Sequence, residues 1–130
     1  MFYIKIFMPP LSLMALIFLT SSLPGDVEHG ALNFMLMLKP TLQNSLHVPL
    51  FGTLQYLWLR ALTKASRTGC RAIFTAIAIT FSYGLLDEYH QMFVPGRYAS
   101  VSDVGLNLLG ILIGTGLFVY IGRQKSPEKG

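Results

Sequence analysis

Residues 71–91 read Arg71-Ala-Ile-Phe-Thr-Ala-Ile-Ala-Ile-Thr-Phe-Ser-Tyr-Gly-Leu-Leu-Asp87-Glu88-Tyr89-His90-Gln91. Fifteen uncharged residues, 72–86, run directly into two adjacent acids and a histidine. As a helix those fifteen cover roughly 22 Å, less than the roughly 30 Å of hydrocarbon in a bilayer. A helix that crosses the membrane must therefore continue through Asp87, Glu88, His90 and Gln91. These groups then sit at or just inside the membrane boundary, where an unpaired charge is expensive. The stretch predicts a transmembrane helix over about 72–91 with a polar cluster at one end.

Working outward, the same charge-free pattern recurs. Twenty uncharged residues separate Lys5 from Asp26, twenty separate Lys39 from Arg60, and nineteen separate Asp103 from Arg123. Each is close to the span of one membrane helix. The expected architecture is all-α, one membrane domain over 1–130, with four transmembrane helices near 6–23, 44–63, 72–91 and 103–122. Composition agrees. The 130 residues are 52% hydrophobic and 12% charged, half the charge of an ordinary soluble domain, with mean hydropathy +0.52. A soluble globule this small would be left with large exposed apolar patches, and disorder needs a polar, charge-rich chain. The one cysteine, Cys70, excludes a disulfide framework and a multi-thiolate zinc site.

The sign of the charges orients the bundle. One side carries both termini and the loop around Ala65, with eight of the ten bases and one acid, Glu128, a balance of +7. The other carries Lys39 and Arg97 against Asp26, Glu28, Asp87, Glu88 and Asp103, a balance of −3. The positive-inside rule places both termini in the cytoplasm and the polar cluster on the outer face. The net charge of +4 is thus a topology signal, and nucleic acid is not the expected partner. The first apolar segment has a lone Lys5 and a small-residue run, Thr20-Ser21-Ser22, that a signal peptide would also show. Pro9 and Pro10 fit a helix start, and the charge balance works with the segment retained, so a retained helix is expected. Ala31–Leu38 is too short to span and reads as an interfacial or re-entrant segment ended by Pro40.

Two helix faces stand out. Ala72, Ala76, Thr80 and Gly84 recur every four residues, a spacing that lets a neighbouring helix approach closely. Asp103, Asn107, Gly110 and Gly114 form a similar face on the last helix. Packed together, the two faces would bring both polar ends into one outward-facing pocket.

The run Tyr83 to Arg97, followed by Ser100, Asp103, Asn107 and Gly110, closely resembles the signature of the VanZ-like family of small bacterial membrane proteins. That signature is an acidic pair, His-Gln, an apolar triplet, Gly-Arg, then Asp, Asn and Gly opening the last helix. His47 followed by Phe51 resembles the family's histidine at the start of the second helix, and Ser22 and Pro24 resemble the polar end of its first. The family's Asp-Lys pair just before that histidine is replaced here by Gln43 and Asn44. The resemblance covers about 100 residues. It implies a place in the bacterial cytoplasmic membrane and a cell-envelope role of the glycopeptide-resistance kind.

Three function classes follow. A binding protein would use His47, Gln91, Arg97, Ser100, Asp103 and Asn107 to hold a lipid-linked or cell-wall-precursor ligand, the bilayer itself being the other partner. An enzyme would use Asp87, Glu88 and His90, with Glu88 or His90 as general base, Asp87 orienting His90, and Arg97 binding phosphate or carboxylate. No Ser or Cys nucleophile stands beside a base, so direct proton transfer or an activated water is favoured over a covalent intermediate. A divalent ion on Asp87, Glu88, His90 and His47 is a variant, suited to Mg²⁺ or Mn²⁺ at least as well as zinc. No established metal motif is matched, and no cofactor is assigned. A small transporter comes last, because the acids lie toward one face with nothing stronger than Thr80 at mid-depth.

Several of these residues also have plain structural readings. Ser100-Val-Ser-Asp103 matches a capping box. Asn107 can join two helices by a hydrogen bond, and Pro95-Gly96 reads as a turn. Arg97 can simply neutralise the acids, and His47 can be a structural donor. His29 reads as solvated, and Cys70 has no evident chemical partner.

Overall fold

The computed structural model describes residues 2–24, 45–65 and 69–124. Among the described residues four helices follow one another: α1 (Phe2–Ser21), α2 (His47–Lys64), α3 (Cys70–Gln91) and α4 (Val101–Gln124). The all-α expectation is met, with each end within about four residues of the sequence reading. The expected interfacial segment 31–38 lies outside the described residues, as do Asp26, Glu28, His29 and Lys39.

Three helices, α1, α3 and α4, are long and apolar enough to cross a membrane. The second is not among them, which coarsens the four-span expectation. The reason is its position. Every other helix packs against α2, and Phe51, Gly52, Leu54, Gln55, Trp58, Leu59, Ala61 and Leu62 along it are buried. A helix packed against protein along much of its surface need not be apolar all round, so it can carry the fully buried Gln55. The outer helices instead turn Phe18, Phe74, Leu86, Leu112 and Leu117 outward, as lipid-facing surfaces do.

Two sequence expectations need correcting. Helix α1 begins at Phe2, so Pro9 and Pro10 lie inside it rather than at its start. Proline is tolerated inside membrane helices because neighbours can satisfy the freed carbonyls, and Pro10 is buried. Second, the glycine end of the α4 face does not pack on the α3 stripe. A Cβ added at Gly110 would meet the backbone of Val48 and Gly52, and one at Gly114 would strike the Gly52 carbonyl. The closest helix pair is therefore α2–α4, in backbone contact through Gly52, Gly110 and Gly114. The polar end of the α4 face reaches α3, where a Cβ at Gly84 would come within 3.1 Å of both Asn107 and Phe51.

The helix directions separate the charges. Lys5, Arg60 and Lys64 line one groove between the start of α1 and the end of α2. His47, Glu88 and Asp103 gather at the opposite end of the bundle. Between α3 and α4, Pro95 and Gly96 form a tight turn. Arg97 N–H donates to Val94 C=O at 3.1 Å, and Gly96 has φ 73°. Proline followed by a left-handed residue is the type II pattern, in which glycine takes the second place.

The glycine contact gives a direct prediction. Gly114→Val should destabilise the bundle by about 1–3 kcal/mol, the usual cost of overpacking, seen as a lower melting temperature in detergent. Gly116→Val, on the same helix with nothing within 4 Å of its Cβ position, should melt like the parent chain.

Candidate functional site

The adjacent acids Asp87 and Glu88 point about 100° apart around α3, and that angle sends them to different seams. Asp87 faces α1. Its Oδ1 accepts a 2.6 Å hydrogen bond from Ser21 Oγ, and its Oδ2 accepts from Gln91 Nε2 at 3.0 Å. His90, one turn away, has Nε2 3.0 Å from Ser22 Oγ, and its ring lies against Phe18 with centroids 4.7 Å apart. Arg97 closes the same seam: Nε donates to Leu23 C=O and Nη2 to Thr20 C=O, each at 3.2 Å. A cation on the last carbonyls of a helix also complements the negative end of its dipole. Tyr83 adds a 2.6 Å bond from its hydroxyl to Met14 C=O. This seam is well satisfied and ties α1 to the rest.

Glu88 continues the Ala72, Ala76, Thr80, Gly84 stripe by one more step of four, so it is buried where α3 meets α2 and α4. Its Oε2 accepts the backbone N–H of Ser100 at 3.1 Å. Ser100 in turn caps α4 with its own side chain, Oγ accepting the N–H of Ser102 at 3.2 Å. The capping box expected of Ser100 and Asp103 is thus completed by Glu88, an acid from another helix. That frees Asp103, which is 5% exposed, and its Oδ1 has no hydrogen-bond partner among the described residues. Glu88 Oε1 and Asn107 Nδ2 are also buried without a partner among the described residues.

His47, the first residue of α2, completes the group. Its Nδ1 lies 2.8 Å from Asn107 Oδ1. Because an amide oxygen only accepts, Nδ1 is the donor of this pair and Nε2 is the ring nitrogen left for another partner. The ring stacks on Phe51 one turn along, at an interplanar angle of 7°. His47, Glu88 and Asp103 each offer a ligand atom, all within 4.8 Å of one another. His47 is half-exposed while the two acids are buried, so the group is reached from the histidine side.

The candidate residues therefore divide. His47, Glu88, Ser100, Asp103 and Asn107 come together; Asp87, His90, Gln91 and Arg97 form the α1 seam. The arrangement in which Asp87 orients His90 is replaced by one in which both Asp87 oxygens serve Ser21 and Gln91. The four-residue metal set proposed from sequence is likewise replaced, with Asp103 in place of Asp87 and His90. Two contributors went unnoticed in the sequence. Gly52 is what admits α4. Gln55, fully buried at mid-depth, donates to Thr115 Oγ1 at 3.0 Å and leaves its Oε1 unpartnered. Its signal was visible as a lone amide in an apolar helix.

Compared with curated proteins and with solved structures, the chain gave no match. A family model described as VanZ/LLP1 matches residues 6–122. That match takes in all four helices and every residue of the buried cluster. The chain belongs to the VanZ/LLP1 family and is a multi-pass membrane protein.

Proposed function

We propose that the chain is a cell-envelope protein of the bacterial cytoplasmic membrane, crossing it four times with both termini inside. In this reading the His47–Glu88–Asp103–Asn107 cluster opens on the extracytoplasmic face. It binds a lipid-linked or peptidoglycan-precursor ligand, in a role of the glycopeptide-resistance kind. The observation that carries the reading is the set of orphaned atoms. Glu88 Oε1, Asp103 Oδ1 and Asn107 Nδ2 are buried and unpartnered beside half-exposed His47. Unsatisfied buried polar atoms cost about 1–3 kcal/mol each, more when charged, so a fold that keeps three together benefits from a ligand that pairs with them. The acceptors suit sugar hydroxyls and amines. The second helix, 18 residues long, covers about 27 Å, nearly a full span. The basic groove at Lys5, Arg60 and Lys64 supports a cytoplasmic placement of the other end.

An enzymatic reading has one observation in its favour: an imidazole beside two carboxyl groups is an acid–base set. There the pair is Glu88 with His47 rather than with His90. The charge at Glu88 separates the readings. Glu88→Gln should abolish turnover in an enzyme while leaving ligand affinity within about tenfold.

Two outcomes are expected. In a glycopeptide-susceptible bacterial host, expression of the chain raises tolerance, and Glu88→Gln and Asp103→Asn remove that protection at equal membrane abundance. Protection by both variants equal to the parent's would exclude the cluster as the working site. A topology reporter placed after Pro95 should be active only in its extracytoplasmic form, and one after Gln124 only in its cytoplasmic form. The reverse pattern would put the cluster on the inner face.

A further inference from the structure

We infer that His47, Glu88 and Asp103 hold a divalent cation of the Zn²⁺ or Mn²⁺ class, with open positions facing the bound ligand. The inference deepens the ligand-binding reading and rests on it for the location of the site. Its own support begins with charge. Two carboxylates, each about 95% buried, converge within 4.8 Å. Two carboxyl groups so close and so deep can be ionised together only with positive charge nearby, and His47 supplies at most one. Arg97, the basic residue of the α3–α4 connection, is committed to the carbonyls of Thr20 and Leu23.

The donor atoms are also the right ones. Each acid keeps one buried oxygen free of hydrogen bonds, Oε1 of Glu88 and Oδ1 of Asp103. The Asn107 contact takes up Nδ1 and leaves His47 Nε2 as the nitrogen that an ion would bind once deprotonated. These three groups come from α2, α3 and α4, so a single ion would bind the bundle across its closest contacts. Ligands at about 2.0–2.2 Å from an ion stand no more than about 4.4 Å apart, so closing on it requires side-chain shifts under an ångström or so. One nitrogen and two carboxylate oxygens match borderline first-row ions better than Ca²⁺, which takes six to eight oxygens.

The outer shell is in place before any ion arrives. Asn107 fixes the tautomer of His47, and the Ser100 N–H holds Glu88 by its other oxygen. Partners of this kind orient metal ligands and raise their basicity. Three protein ligands leave coordination sites for water or for a ligand oxygen, the arrangement of working rather than purely structural metal sites. The ion also reconciles an acidic pocket with an anionic envelope ligand, since phosphate oxygens repelled by Glu88 and Asp103 can bind the cation between them.

The test is metal binding to the full chain, purified in detergent, stripped with chelator and titrated with ZnCl₂ or MnCl₂ alone. A single ion per chain is expected, with a rise in melting temperature. Glu88→Gln and Asp103→Asn should each abolish binding, and Asn107→Ala should weaken it about 10–100-fold. Asp87→Asn and His90→Gln, on the α1 seam, should bind as the parent does. Loss of binding in all five variants alike, or no saturable binding by the parent, overturns the cation site. If the parent binds no ion yet protection still depends on Glu88, the ligand site stands without the metal. If the ion binds and protection ignores Glu88, the metal site stands and the ligand reading falls.

Discussion

The backbone contact between α2 and α4 sets the geometry on which everything else depends. Gly52, Gly110 and Gly114 let the two helices meet backbone to backbone, where any larger residue at Gly110 or Gly114 would collide. Without a hydrophobic force between helices in lipid, that close van der Waals packing is a main source of association. It also fixes register. His47 begins α2 and Asp103 lies in the first turn of α4, and the glycine contact one to three turns along brings those two helix starts side by side. The α3 stripe then closes over Phe51 and Asn107 at Gly84, and its next residue of the same period is Glu88. Three faces made of small or apolar residues end, on the same level, in one titratable residue each.

Much of this was readable from the chain. The charge-free windows locate the helices because lipid penalises charge residue by residue. The small-residue stripes identify buried faces, and every residue of both is buried. Partner choice was not readable. Periodicity marks a face as buried but says nothing of which helix covers it, and the α4 face is shared, Gly110 and Gly114 against α2 and Asp103 and Asn107 toward α3. The one glycine on α2, Gly52, makes no stripe and so gave no signal. Capping was misread for a related reason. Ser100 and Asp103 have the local spacing of a capping box, yet a carboxylate from α3 arrives at the Ser100 N–H first. A local motif loses to a tertiary contact that supplies the same acceptor.

The division of Asp87 from Glu88 shows how two chemically similar neighbours acquire different work. On a helix their directions differ by 100°, so one enters the α1–α3 seam and the other the α2–α3–α4 centre. In the first, hydroxyl, amide and guanidinium donors are matched to acceptors, and interhelical bonds of this sort contribute about 0.6 kcal/mol each in membranes. In the second, acceptors outnumber donors. A seam evolved only to hold helices together would resemble the first throughout. The contrast within a single turn of α3 is what supports the proposed site at Glu88.

Glu88 consequently carries two roles that a blunt substitution would confound. Its Oε2 caps α4, and loss of a cap costs about 0.5–2 kcal/mol; its Oε1 belongs to the cluster with His47 and Asp103. Glu88→Ala would remove both, and a loss of function could be a loss of the start of α4. Glu88→Gln is different. The amide oxygen can still accept the Ser100 N–H, while the NH₂ group replaces the free carboxylate oxygen with a donor. It can then pair with the Asp103 carboxylate, leaving the bundle as stable or more so with the negative charge halved. Stability and function at this residue should therefore move in opposite directions, as expected where a fold tolerates an unsatisfied group because a ligand completes it.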